Sequence, residues 1–260
     1  MIHPTAIISP GARIGSDVEI GPYSVIGEQI SIGDGTRIGP HVVVEGPATI
    51  GKNNHFFQFC SIGAIPQDLK FNMEETELII GDNNTFREFI TINRGTAGGG
   101  GKTVVGSNCL LMAYTHVAHD CIIGNDVIMA NNATLAGHIH IDDHAIIGGI
   151  SGIHQFVHIG THAMIGGLSG VSKDVPPYTL AVGQRAILHG LNLTGLKRHN
   201  FSAQTLNELK AAYKLLFRSN LHTDEAVRQI QADNMHTPEV GALIDFIKNS
   251  ERGVTRECNK

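Results

Sequence analysis

His119 is followed directly by Asp120. An imidazole beside a carboxylate is a simple pair for removing a hydroxyl proton near neutral pH, with the carboxylate fixing the tautomer and stabilising the imidazolium. Eight of the fifteen histidines lie between positions 116 and 162, including His116, His138 and His154. No G-x-S-x-G turn is present, and no cysteine falls near His119 in register, which disfavours a covalent intermediate. The residue types therefore favour direct general-base transfer, with a backbone N–H such as that of Gly137 available to an oxyanion. Three clustered histidines could also hold an open-site zinc; that reading is the weaker one, and no metal or cofactor is expected. His140 with His158, and His144 with His162, read as solvent-facing turn residues.

The chain must bring these residues together, and its periodicity says how. Large apolar residues recur every sixth position, as in Ile14, Ile20, Ile26, Ile32 and Ile38, and again from Val105 through Leu111, Val117 and Ile123 to Val171. Six matches neither a helix nor a simple half-buried strand. It fits short strands joined by turns, with one large inward side chain per strand and the frequent following glycine easing each corner. Three strands make an 18-residue coil, and stacked coils make a triangular parallel β-helix with a rise of ~4.8 Å. His119, Gly137 and Gln155 each follow an apolar repeat residue by two and stand one coil apart, so they should form a column. His116 and Asp120 flank the first member, His138 follows the second and His154 precedes the third.

Two stretches break the period: 66–78, beginning Pro66-Gln67-Asp68-Leu69-Lys70, and the glycine-rich 95–103. The latter approaches a phosphate-binding loop, but Thr96 stands where glycine is required, and it reads as a flexible excursion. Val175-Pro176-Pro177 ends the pattern. Beyond it, Ser202 can cap a helix through Phe217, Thr223 can start a second, and Thr237-Pro238-Glu239 opens a third. A shorter helix is expected around 187–198. The expected organisation is a β-helix over 1–185 and an α-helical domain over 186–260.

Composition narrows the setting. The chain has 260 residues, 42% hydrophobic, with a formal charge of −5. That is ample for a core, and mild acidity argues against nucleic acid. No apolar run reaches the roughly 18 residues of a membrane span, and the N-terminus does not read as a secretory leader. The four cysteines, Cys60, Cys109, Cys121 and Cys258, read as reduced core thiols in a cytoplasmic protein. Between 173 and 218, seven lysines and arginines face only Asp174 and Glu208. Such a patch suits an acidic partner.

The segments Tyr114-Thr115-His116-Val117-Ala118-His119-Asp120-Cys121, Ala130-Asn131-Asn132-Ala133-Thr134-Leu135-Ala136-Gly137-His138 and His154-Gln155-Phe156 resemble the UDP-N-acetylglucosamine O-acyltransferases of lipid A biosynthesis. So do Gln67-Asp68-Leu69-Lys70, Arg94-Gly95-Thr96, Asp174-Val175-Pro176-Pro177-Tyr178 and Gly195-Leu196-Lys197-Arg198. The resemblance spans essentially the whole chain. It implies a left-handed β-helix, a handedness that the period alone leaves open. It implies transfer of an (R)-3-hydroxyacyl group from acyl carrier protein to the glucosamine 3-hydroxyl of UDP-N-acetylglucosamine by a homotrimer with sites between subunits. His119 would be the general base, Asp120 its partner and the Gly137 amide the oxyanion donor. Gln67, Asp68, Lys70, His116 and His138 would contact sugar nucleotide or acyl group, His154, Gln155 and Gly167 would lie along the acyl groove, and Asn192 and Arg198 would approach the uridine diphosphate. Asn93, Arg185 and Thr194 depart from the family pattern, where histidine, histidine and glutamate are expected. The competing zinc reading resembles the β-helix carbonic anhydrases, and a related N-acyltransferase carries an additional uridine-binding domain.

Overall fold

The computed structural model describes residues 1–258. The six-residue period becomes strands of two to five residues arranged in three sheets. The first sheet runs from Ile7–Ile8 to Gly170–Val171, the second from Arg13–Ile14 to His158–Ile159, and the third from Glu19–Ile20 to Thr179–Val182. Along these stretches the strands pair in parallel, and the common register step is one 18-residue coil, as in Thr134↔Gly152↔Gly170. The result is a left-handed parallel β-helix followed by helices, the reverse of the usual crossover hand.

The corners are turned by residues with left-handed backbone. Tyr114, Asp120, Asp126, Asn132, His138 and His144 have φ between 57 and 63°. Glycine was the residue expected there, and it is found elsewhere. It follows the large apolar residue, where consecutive coils approach too closely for a Cβ. At Gly33 a Cβ would lie 2.6 Å from the carbonyl carbon of Gly51, and at Gly106 it would lie 2.4 Å from the carbonyl oxygen of Gly124. The glycines thus permit stacking, and the corners tolerate side chains.

The inward aliphatics are buried, and the small residues two places before them, such as Ser24, Thr36, Ala133 and Ala163, are buried with them. Phe56 and Phe86 stack in the interior at 4.5 Å. Cys60, Cys109 and Cys121 are core thiols, and burial raises them to about 11, 11 and 12 respectively. Cys258 differs from expectation and is exposed.

Both expected excursions leave the prism between the first and second sheets. The register step widens to 30 residues at Ser61↔Thr91 and to 25 at Thr91↔His116. The ladder resumes at Glu77 and Lys102, so the last residues of each expected loop are already strand. The short helix expected around 187–198 divides. Ile187–Leu191 pairs antiparallel with Thr179–Val182, carrying the third sheet past residue 185, and only Leu193–Arg198 is helical (α1).

Three longer helices follow: α2 over Ala203–Phe217, α3 over Thr223–Ala232 and α4 over Pro238–Asn249. Ser202 Oγ accepts the Thr205 N–H at 3.0 Å, as a cap should. Leu196, Leu209, Ile230 and Leu243 form a second core, and the chain returns to the prism where Thr255 N donates to Asp174 O at 2.7 Å. Among the described residues no helix is long and apolar enough to cross a membrane. At the corner facing α1, burial and then the like charges of His144 and His199 lower His162 to about 4, so its ring is neutral at pH 7.

Gly106→Ala is expected to cost more than about 1–3 kcal/mol, because the clash is with backbone that cannot swing away. Gly241→Ala in α4, where a Cβ meets nothing within 4 Å, is expected to stabilise by about 0.5–1 kcal/mol. Thermal unfolding of the two variants should move in opposite directions.

Candidate active site

Register places the chemistry at one prism corner, between the first and second sheets. His116 pairs with Thr134 across one coil and Thr134 with Gly152 across the next, so the turns after them stack. His119 and Gly137 are in contact: a Cβ at position 137 would lie 2.6 Å from His119 Cε1. Glycine there is therefore required by the imidazole. His138 meets His119 edge-on at 5.1 Å and stacks on Phe156 at 4.5 Å.

Asp120 is the best-anchored group at this corner. Its side chain is 0% exposed, and Oδ2 accepts from His119 Nδ1 at 2.8 Å. Thr96 supplies two further hydrogen bonds, from its N–H to Oδ1 at 2.8 Å and from its hydroxyl to Oδ2 at 2.6 Å. The Asp120 N–H donates to Thr103 Oγ1 at 2.8 Å. Gly99 lies so close that a Cβ would overlap the carboxylate. The glycine-rich stretch read as a flexible loop is thus the clamp that seats the aspartate. Its glycines allow backbone to approach a buried charge, Thr96 satisfies that charge, and Thr103 accepts from the aspartate's backbone N–H.

With Nδ1 committed to Asp120, the His119 ring has Nε2 left for a substrate proton, and the ring remains 14% exposed. His116 lies on the same face with Nδ1 2.7 Å from Thr91 Oγ1. Burial, and then the charge of His119, holds its imidazole below the ordinary range, so it is an uncharged hydrogen-bonding group at neutral pH.

The Gly137 amide is available for a hydrogen bond. Among the described residues its N–H donates to no protein acceptor. At a different corner, between the second and third sheets, the N–H two places after the large apolar residue does find one on the next coil. Ser16 N–H reaches Asp34 Oδ1 at 2.9 Å, Lys52 N–H reaches Asp82 Oδ1 at 2.6 Å, and Asn125 N–H reaches Asp143 Oδ1 at 2.6 Å. A turn N–H of this kind can meet an anionic oxygen, and that of Gly137 is available to one.

Two hollows meet at His119. A mostly apolar cleft of about 670 Å³ runs along the first sheet over Ala118, Leu135, Gly152, Ile153 and Gly170 towards Gln184 and Arg185. A smaller hollow of about 530 Å³ is bounded by Gln67, Asp68, Lys70, His138, Gln155 and Phe156. Gln67 and His119 border both.

Ten expected site residues therefore gather at this corner: Gln67, Asp68, Lys70, His116, His119, Asp120, Gly137, His138, His154 and Gln155. Three do not. Gly167 lies in the turn between the third and first sheets. Asn192 caps α1, with Oδ1 accepting from Gly195 N and Nδ2 donating to His162 O, both at 3.1 Å. Arg198 is exposed in the last turn of that helix. Of the departures from the family pattern, Asn93 is buried and ties down the first excursion through Ile65 O at 2.9 Å, Arg185 lines the cleft, and Thr194 is exposed on α1. Within the basic segment Arg218 is already paired with Glu257 at 2.8 Å, which removes one cation from the expected patch.

Several contributors were not among the expected ones. Thr96 and Thr103 hold Asp120, Thr91 holds His116, and Gly152 and Gly170 floor the cleft. The two glycines carried a signal, since they stand one coil apart at an outward strand position that other coils fill with His116 and Thr134. Arg252, whose Nη2 lies 2.7 Å from His154 Nδ1, carried none, being 98 residues away.

A metal could be held by two groups of three donors among the described residues, His119–Asp120–His138 and His140–Asp142–His158. His116, His138 and His154, the trio of the zinc reading, form no such group. Thr91 and Arg252 engage the Nδ1 atoms of the first and third.

Thr96→Val is expected to cost about 1.5–3 kcal/mol, the usual range for a hydrogen bond to a charged acceptor. Denaturant midpoints at constant m-value would measure it; an unchanged midpoint would show that the clamp contributes nothing.

Comparison with known proteins identifies the family. Residues 174–255 match the family described as "Udp N-acetylglucosamine O-acyltransferase; Domain 2", and residues 102–137 match the bacterial transferase hexapeptide (six repeats). The chain is 53% identical over 255 residues to the acyl-[acyl-carrier-protein]--UDP-N-acetylglucosamine O-acyltransferase of Thermodesulfovibrio yellowstonii, covering 98% of this chain and 99% of the relative. It is 51% identical over 253 residues to that of Aliarcobacter butzleri, covering 97% of each. The solved UDP-N-acetylglucosamine acyltransferase from Bacteroides fragilis superimposes with a TM-score of 0.96 at 44% identity, over 98% of this chain and all of that one. Repeat architecture, His–Asp corner and helical tail together have one family explanation: the chain belongs to the UDP-N-acetylglucosamine O-acyltransferases.

Proposed function

We propose that the chain transfers an (R)-3-hydroxyacyl group from acyl carrier protein to the glucosamine 3-hydroxyl of UDP-N-acetylglucosamine, in the cytoplasm and by direct general-base catalysis. The observation that carries the reading is the position of His119 at the junction of a polar hollow and an apolar cleft. A sugar hydroxyl on one side and a thioester on the other would both reach its Nε2.

The steps follow from the groups present. His119 Nε2 takes the proton of the 3-hydroxyl as its oxygen attacks the thioester carbon. The former carbonyl oxygen gains the charge, and the unused Gly137 N–H supplies the hydrogen bond that it needs. Collapse breaks the carbon–sulfur bond, and the imidazolium returns its proton to the leaving thiolate. Asp120, held by Thr96, keeps His119 in the tautomer with Nδ1 protonated and stabilises the cation between the two proton transfers. Neutral His116, with His138, Gln67, Asp68 and Lys70, would position the sugar nucleotide and the reacting acyl end. His154 and Gln155 would border the groove, in which the side-chain-free positions Gly152 and Gly170 leave room for an acyl chain.

A homotrimer is part of this reading. Gly167, Asn192 and Arg198 lie on prism faces away from His119, so one chain cannot bring all the expected groups together. The turn column between the third and first sheets also presents Tyr23, Phe59, Phe89, Tyr114, Ile150 and Leu168 to solvent. Its aromatic rings stack through His41 at 4.8–5.2 Å. A largely aromatic and apolar strip along a prism edge, interrupted at Asn132, is the kind of surface that a partner covers. A neighbouring copy would cover it and bring Gly167 beside the cleft. The remaining cations, Lys173, Arg185, Lys197, Arg198, Lys210 and Lys214, would attract acidic acyl carrier protein.

His119→Ala is expected to lower turnover by about 10²–10⁴-fold, with Asp120→Asn costing less, and to leave UDP-N-acetylglucosamine binding in place. Product mass spectrometry with a panel of acylated carrier proteins would test substrate and activity together; no acylated sugar nucleotide from any donor would overturn the proposal. Sedimentation of the wild type should give three chain masses, and of the Phe59→Glu/Phe89→Glu double variant a smaller species. A monomeric, fully active wild type would remove the shared-site reading.

A further inference from the structure

The second sheet contains one break in its glycine column. The residue after the large apolar one is Gly15, Gly33, Gly51, Gly81, Gly106 and Gly124 in successive coils, then Asp142, then Gly160. At this position a side chain costs packing, yet here the chain carries a carboxylate. Two residues earlier, on the outer face of the same strand, stands His140, and His158 is its partner in register on the next coil.

Both imidazoles bring the same atom close to the same oxygen. His140 Nε2 is 3.2 Å and His158 Nε2 2.9 Å from Asp142 Oδ1. Neighbours of a tetrahedral zinc with nitrogen and oxygen ligands are separated by roughly 3.3 Å; both nitrogen–oxygen separations match that, and all three donor atoms lie within 4.8 Å of one another. The ladder fixes the coil-to-coil spacing, and Phe246 of α4 packs on the His158 ring at 4.6 Å, limiting its rotation. His144 and His162 provide an internal contrast. They too are one coil apart and stacked, at 4.6 Å, but Asp126 approaches only one of them, at 3.9 Å. Repetition of histidine at one-coil spacing therefore does not by itself assemble a donor set.

The trio also differs from the catalytic one. Thr96 occupies both oxygens of Asp120, whereas among the described residues only the two imidazoles approach the Asp142 carboxylate. Burial opposes charge on Asp142, but hydrogen bonds and charge from His140 and His158 overcome it and hold the carboxyl well below its usual range.

We propose that His140, Asp142 and His158 form a binding site for a first-row divalent cation of the zinc type, with water completing the tetrahedron. Two Nε2 donors and one carboxylate oxygen suit this class. The ion would clip two adjacent coils together, away from the acyl-transfer corner and independently of the proposed reaction.

Metal-stripped full-length protein titrated with Zn²⁺ alone should bind one ion per chain and unfold at a higher temperature when loaded. Co²⁺ alone should give the strong visible absorption of a tetrahedral site. His140→Ala, His158→Ala and Asp142→Asn should each weaken Zn²⁺ binding by at least about tenfold and abolish the thermal shift, while His119→Ala and His144→Ala retain both. Binding unaffected by the first three substitutions, binding lost in His119→Ala, or no stoichiometric binding in the wild type would each overturn the assignment.

Discussion

A hydrogen-bonded ladder that returns the chain to the same face every 18 residues governs this molecule. Because the coil-to-coil distance is that of adjacent strands, any two residues one coil apart are neighbours whatever their chemistry. The ladder leaves little room for error. The glycines after the large apolar residues are the positions where neighbouring coils nearly touch, and inward aliphatics fill a core too narrow for a slipped register. Rigidity of this kind lets an imidazole from one coil rest on the glycine of the next with no loop to adjust it.

A uniform prism has no cleft, and the irregularities create one. Both insertions leave at the corner that carries the histidine column, one and two coils before His119. The first contributes Gln67, Asp68 and Lys70 to a polar hollow. The second folds Thr96 and Gly99 onto Asp120, converting a turn residue on a regular corner into a buried, fully hydrogen-bonded carboxylate. A buried charge is costly unless its oxygens are satisfied. The clamp meets that cost, and the same contacts fix how the neighbouring imidazole points. The cleft on the other side arises by subtraction, from strand positions where glycine replaces a side chain.

The edges of the prism are not equivalent. One carries the proposed chemistry, one receives the helices against His144 and His162, and one displays a stacked aromatic ladder to solvent. A chain that lines an exposed edge with rings in left-handed turns pays backbone strain for it, most plainly at β-branched Ile150, with φ of 58°. Coverage of that edge by a second copy would account for both the strain and the exposure, and it is the arrangement that the proposed reaction needs.

Much of this was legible in the sequence because the repeat makes spatial neighbours out of residues at a fixed spacing. The 18-residue coil, the column of His119, Gly137 and Gln155, and the helix starts at Ser202, Thr223 and Pro238 follow from period, capping and proline chemistry alone. What the sequence left undecided lies where the period fails. The role of residues 95–103 depended on contact between a glycine-rich segment and a carboxylate 24 residues on, which no local signal encodes. Arg252 reaches His154 only because the C-terminal segment folds back along the prism. The third sheet absorbed 187–191 because an antiparallel partner was waiting there, overriding a local helical reading. His140, Asp142 and His158 could be aligned by counting, but only side-chain rotamers decide whether two imidazoles come close to one oxygen. Local sequence determines which elements form and in what register; convergence of side chains from separate elements is set by packing, and only the tertiary structure contains it.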